Sequence, residues 1–286
     1  MTTTATPIED AKENVREAVR QAAPWIERFA RFGYVAKGIV YAIVGVLAAM
    51  AAFGAGGRMT GSKGAMHTII EQPFGKVLLA VVSVGLLSFG LWQLIRAIED
   101  PDRVGCDVKG CFKRFGFFFS GLLYFMLVVF AMKLIFTGTR GDGSGDAAAK
   151  DWTAYIMSYT FGRYAIAATG IGVAIYGLFN LFFAHRAQLQ DQLLLEQMKA
   201  KVHHWVRIVG RFGIGARGAV FVLIGWFLIA AAYQNDSGEA RGIGGALQAL
   251  EAQSYGPAML GIVAVGLIAY GLFQFALAKY RMIRTS

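Results

Sequence analysis

Arg31-Phe32-Gly33, Arg114-Phe115-Gly116 and Arg211-Phe212-Gly213 each open a long apolar run. Seven residues after each arginine stands a second glycine, Gly38, Gly121 or Gly218, and three residues further an aromatic, Tyr41, Tyr124 or Phe221. A second apolar run follows in every copy, opening at Phe74-Gly75, Phe161-Gly162 or Tyr255-Gly256. At the same offset each time it reaches Phe89-Gly90-Leu91-Trp92-Gln93, Tyr176-Gly177-Leu178-Phe179-Asn180 or Tyr270-Gly271-Leu272-Phe273-Gln274. Self-similarity at a fixed period marks a threefold internal repeat of a two-helix unit.

Composition names the solvent of these helices. Of 286 residues 56% are hydrophobic and 16% charged, and mean hydropathy is +0.50, whereas about 25% of an ordinary soluble domain is charged. Six stretches reach the roughly 20 apolar residues that a bilayer-crossing helix needs, at about 33–53, 75–95, 115–136, 162–184, 213–233 and 257–278. The fold class expected is an all-α, polytopic membrane protein of six transmembrane helices in three repeated two-helix hairpins. The polar opening residues Met1 to Gln21 contain no apolar core of a cleaved signal, so the first spanning helix is the expected insertion signal.

Most of the 28 Lys and Arg residues fall in the flanks and loops on the side of the termini, Arg16, Arg103, Lys113, Lys199 and Arg281 among them. The positive-inside rule then places both termini in the cytoplasm, with the protein in the cell membrane. The net charge of +10 is accounted for by this topology and by attraction to anionic lipid heads, so nucleic acid is not an expected partner. Cys106 and Cys111 lie in one cytoplasmic loop by this reading, where reducing conditions favour free thiols. They lack the further ligands a zinc site needs.

The tripled Arg-Phe-Gly opening, the following glycine and aromatic, and the Phe/Tyr-Gly-Leu-aromatic-Gln/Asn closing resemble domain of unknown function family 1206. The resemblance covers about residues 25–282 and implies a bacterial-type integral membrane protein with three two-helix copies; it brings no activity with it. The middle copy departs from the others in having Ser120 where Lys37 and Arg217 stand. The chain divides into a terminal amphipathic segment 1–25, repeat one at 26–99, repeat two at 109–186, an amphipathic connector 187–205 and repeat three at 206–282.

Three hairpins of one orientation can close about a pseudo-threefold axis normal to the membrane or form a less regular bundle. Small residues recur five apart in the even spans, as Ala80, Gly85, Gly90, as Ala167, Gly172, Gly177 and as Gly261, Gly266, Gly271. Five residues turn a helix by about 140°, so successive glycines admit close neighbours on two faces. Residues 8–22 read as a surface helix ended by Pro24, with Ile8, Ala11, Val15, Ala18 and Ala22 on one side. The connector sets Leu189, Leu193, Met198, Val202 and Trp205 against polar residues in the same way, as a surface or partner-docking helix. Gly138 to Asp146 reads as a flexible loop outside the membrane.

Polar residues within the spans are candidates by default, because each is costly in hydrocarbon. No Asp or Glu occurs in the six runs, which counts against cation-coupled transport. The repeated polar positions are Lys37, Ser120 and Arg217 on the odd helices and Gln93, Asn180 and Gln274 on the even ones. In a closed ring these can line a funnel for an anion or a lipid phosphate. The plainer reading is that the amides bond neighbouring helices while Lys37 and Arg217 snorkel to the lipid heads. Lys133 reads as snorkelling to the other side, and the aromatics Tyr41, Tyr124, Phe221, Phe89, Tyr176 and Tyr270 as packing.

His67, His185, His203 and His204 lie outside the helix interiors expected of haem ligands, and neither a nucleophile with its base nor a P-loop is present. No catalytic residue, cofactor or metal is expected. Two functional classes remain. One is a non-catalytic scaffold that binds membrane lipids or a protein partner at its cytoplasmic face. The other is a channel or transporter for a small solute or anion along a central axis.

Overall fold

The computed structural model describes residues 7–57, 59–102, 105, 107–138, 145–185 and 200–281. The described residues are all-helical, and among them six helices are long and apolar enough to span a membrane: α1 (Pro7–Ala52), α3 (Gly75–Ile98), α4 (Val108–Thr137), α6 (Gly162–His185), α7 (Ala200–Gln234) and α9 (Gly256–Tyr280). Their sequential order is the order of a ring, in which α1 packs on α3 and α9, α3 on α4, α6 on α7, and α7 on α9. This is a multi-pass membrane protein.

The strongest joints lie between repeats rather than within them. α3–α4, α6–α7 and α9–α1 each join the even helix of one repeat to the odd helix of the next, and the same three devices recur at all of them. First, the Arg-Phe-Gly arginine caps the preceding even helix. Arg31 donates to the carbonyls of Ala278 (2.6 Å) and Lys279 (2.7 Å), Arg114 to those of Ala97 and Ile98 (both 2.8 Å), and Arg211 to those of Ala184 (2.8 Å) and His185 (2.9 Å). A helix ends with carbonyls that have no partner within it, and a cation there also meets the negative end of the dipole.

Second, glycine faces glycine across each joint. A Cβ on Gly38 would lie 2.9 Å from the Gly271 carbonyl oxygen, one on Gly121 3.1 Å from that of Gly90, and one on Gly218 2.8 Å from that of Gly177. Only hydrogen allows the backbones to come this close, the condition under which helices pack well in lipid. Third, an aromatic pair meets edge-on one turn deeper: Tyr41–Tyr270 and Phe89–Tyr124 with ring centroids 4.7 Å apart, and Tyr176–Phe221 at 5.5 Å. Such pairs add about 0.5–1.5 kcal/mol each beyond their burial.

Within repeats, the first and third are closed and the second is open. A Cβ on Gly33 would fall 2.7 Å from the Phe89 backbone, and one on Gly213 2.4 Å from that of Tyr270, while Gly85 and Gly266 abut the Cβ atoms of Ala36 and Ala216. In the middle repeat the equivalent Gly116 and Gly172 have no atom within 4 Å, and α4 and α6 scarcely touch. The residue equivalent to Ala36 and Ala216 is Phe119, too large for a glycine-wide seam. Pseudo-threefold symmetry is thus kept at the joints and broken inside the middle hairpin.

On the face opposite the termini each repeat inserts a short helix before its even span: α2 (Ser62–Ile70), α5 (Gly145–Met157) and α8 (Ile243–Glu251). Each leads into the even span through one turn, closed by the amide of Gly75, Gly162 or Gly256 donating to the carbonyl of Gln72, Tyr159 or Gln253 at 2.7–2.8 Å. Gly145 and Asp146, read from sequence as loop, open α5, while residues 139–144 lie outside the described chain.

Two boundaries differ from the sequence reading. α1 continues through Pro24, which stands inside the helix, instead of breaking there. A proline deletes one backbone donor and crowds one carbonyl, and here long helical flanks continue on both sides. The connector helix falls mostly on residues 186–199, outside the described chain, but Val202 and Trp205 belong to the first turns of α7 and extend that span.

Candidate functional site

The closed joints bring Lys37, Arg217 and the six repeated aromatics together at the ring centre. Lys37 is 7% exposed, and its Nζ lies 4.4 Å from the ring centroid of Phe89, 5.5 Å from that of Tyr270 and 5.7 Å from that of Tyr124. Arg217 occupies the equivalent place in repeat three, its Cζ 4.6 Å from the centroid of Phe221, 5.1 Å from Tyr270, 5.6 Å from Tyr176 and 5.8 Å from Tyr41. It donates to the hydroxyls of Tyr41 (3.1 Å) and Tyr176 (3.2 Å). Lys37 does not snorkel, and the half-buried Arg217 turns its guanidinium to the same aromatics. The six repeated aromatics that sequence alone assigns to packing form a shared cage around both, with Tyr270 touching each.

Cation–π contacts offset part of the cost of bringing these charges inside, at about 0.5–2 kcal/mol each. They do not neutralise it. Among the described residues no carboxylate forms an ion pair with Lys37 or Arg217, and the charges of Arg217, Arg96 and Arg281 all bear on Lys37. A buried charge without a partner is costly, so the cage holds a strong unmet demand for negative charge.

The amides do not share one environment. Gln93, buried, accepts from Arg96 Nη1 at 2.7 Å. Gln274 is 2% exposed, and its Oε1 has no partner. Asn180, half-buried beside the open seam, donates back to the Tyr176 carbonyl at 2.8 Å. Ser120, the uncharged equivalent of Lys37 and Arg217, is half-buried on α4. Tyr176, on α6 beside the open seam, is 39% exposed and is the most exposed of the six cage aromatics. Lys133, by contrast, is exposed near the C-terminal end of α4.

Nearer the terminal face, Arg96 and Arg281 converge on Asp102 in the loop after α3. Arg96 donates from Nε at 2.7 Å and pairs through Nη2 at 2.6 Å, and Arg281 Nη2 stands 3.2 Å from the same oxygen. Burial alone would push the Asp102 carboxyl up, but the two guanidiniums outweigh it and hold the group below the usual carboxylate range. Sequence reading missed this cluster, because Arg96 and Arg281 sit at helix ends and have no counterparts in the other repeats. Among the described residues no group of His, Cys, Asp and Glu can hold a metal, and Cys111 is an exposed free thiol while Cys106 lies outside them.

A ring of three tandem two-helix repeats around a caged pair of cations defines a class of polytopic membrane protein. The chain matches the model of Domain of Unknown Function (DUF1206) over residues 32–100, 115–186 and 212–281, and it belongs to that family. It is 34% identical over 246 residues to the uncharacterized protein YxxB of Bacillus subtilis (strain 168), covering 86% of this chain and 88% of that protein. No solved structure matches it.

Proposed function

We propose that this protein is a non-catalytic membrane scaffold that holds an anionic lipid, whose headgroup reaches the Lys37–Arg217 cage through the seam between α4 and α6. The observation that carries the reading is the pairing of two caged cations that lack a carboxylate with a hairpin that stays open beside them. A lipid phosphate supplies the missing charge, and its acyl chains remain in the bilayer without crossing the ring. The Lys and Arg distribution supports a cytoplasmic position for both termini, where the basic face would be available to a protein partner.

The aromatic cage also bears on the alternative. Phe89 and Tyr270 are 2% and 4% exposed, so the ring centre is filled by side chains at this depth, which disfavours a standing axial pore. Anion passage retains one support, the run of interior cations from Arg281 and Arg96 to Lys37 and Arg217.

Native mass spectrometry of the protein released from mixed-lipid nanodiscs tests the reading. The wild type is expected to retain an anionic phospholipid, and Lys37→Gln with Arg217→Gln to lose it while keeping its helical content. An unchanged lipid profile in a folded double variant would sink the lipid proposal. Anion flux in liposomes that disappears in the same variant would transfer the site to the pathway reading.

A further inference from the structure

We propose that Arg96 and Arg281, with Gln93 and Tyr34 around them, form a second anion site that takes a small oxoanion of the phosphate type from the aqueous phase, and that Asp102 is its tethered occupant. The site is distinct from the lipid cage and does not depend on it.

Three observations carry this. The first is charge: two buried guanidiniums, 7% and 4% exposed, meet one carboxylate, so the cluster keeps one excess positive charge, and with Asp102 displaced a dianion would match both cations. The second is unequal satisfaction. Asp102 sits 2.6–2.7 Å from Arg96 but 3.2–3.3 Å from Arg281, and Arg281 Nε is buried with no acceptor at all. Arg281 Nη1 donates to the Tyr34 hydroxyl, which orients the guanidinium without neutralising it. A phosphate has more acceptor oxygens than a carboxylate and can serve Arg96 and Arg281 together, by the bidentate geometry that guanidinium favours.

The third is provenance. The two cations stand on α3 and at the end of α9, in the packed body of the ring, whereas Asp102 comes from the connection between repeats one and two and its side chain is 26% exposed. The connection turns sharply there, with Asp100 at φ +50° and Gly105 at φ +85°, and Asp100 Oδ2 accepts from the Gly105 amide at 2.8 Å. A carboxylate carried on a short loop over two helix-borne cations can leave without unpacking a helix.

The test is rescue by free anion. Asp102→Asn keeps the shape and removes the charge. Its melting temperature in lipid-free detergent is expected to fall by several degrees, and inorganic phosphate to restore at least half of the loss where chloride at equal ionic strength does not. Arg281→Gln in the same background is expected to abolish the rescue. Equal effects of phosphate and chloride, or rescue that survives Arg281→Gln, would overturn the site. The wild type gives an independent reading if the variant does not fold: phosphate displacing Asp102 should speed amide exchange at Gly105 several-fold, and exchange that phosphate leaves unchanged would contradict the proposal.

Discussion

The hairpins of repeats one and three close, and that of repeat two does not, although all three carry the same glycines. Gly33 and Gly213 press on the backbones of Phe89 and Tyr270, while Gly116 faces open space. What separates them is one neighbour. Ala36 and Ala216 fit against Gly85 and Gly266, whereas Phe119 at the same position is 47% exposed and leaves Gly172 unmatched. A small-residue seam in lipid needs both of its sides small, so one bulky residue converts an interface into a slot. The slot lies beside the cage of Lys37 and Arg217, where the proposed lipid headgroup would enter.

The largest effect should come from filling the closed seam. Gly213→Ala places a methyl group 2.4 Å from the Tyr270 backbone and is expected to destabilise the protein by about 3 kcal/mol, an overpacking cost at the high end. Gly116→Ala meets nothing within 4 Å, and it should be neutral or gain up to about 1 kcal/mol from helix propensity. Unfolding in mixed micelles, followed by circular dichroism, compares the two; similar losses would break the contrast.

The joints between repeats provide the next test, because there the three repeats are alike. Arg211→Met removes two charge-assisted bonds to the end of α6 and is expected to cost roughly 2–3 kcal/mol. Arg31→Met should cost a similar amount at the end of α9, its partly exposed pair with Glu27 adding little. A much smaller loss for Arg211 would mean that the open hairpin weakens the joint beside it.

The smallest effect is set by pH. The folded Asp102 carboxyl titrates below its ordinary value of 3.8, so its contribution is fully present above about pH 4 and is lost as the pH falls through the depressed folded value. Acid unfolding of Asp102→Asn should therefore lack a step that the wild type shows below pH 4, and identical acid profiles would remove Asp102 from the stability of the fold.

The repeat and the six spans were legible because lipid demands long apolar runs and close packing demands glycine at fixed offsets. Gly85 and Gly90 do face different neighbours, α1 and α4. The short helices α2 and α8, nine residues each, were not legible, since their pattern is too brief to separate from loop. Lys37 and Arg217 were named from sequence, but their direction was not, because a cation near a helix end can reach lipid or ring centre equally well until its aromatic neighbours are placed. Phe119 carried the signal for the open seam. Reading it required knowing that Ala36 touches Gly85 across the hairpin, a contact that spacing within one helix does not reveal.

The most direct measurement is a pair of spin-label distances in a background with Cys106 and Cys111 replaced by serine. Labels at Phe118 and Ile171 report the middle hairpin, and labels at the equivalent Gly215 and Val265 report the third. An open α4–α6 seam predicts a longer and broader distance distribution in the middle repeat, which anionic lipid narrows. Matching distributions in the two repeats, with or without lipid, would contradict the open seam and the lipid entry built on it.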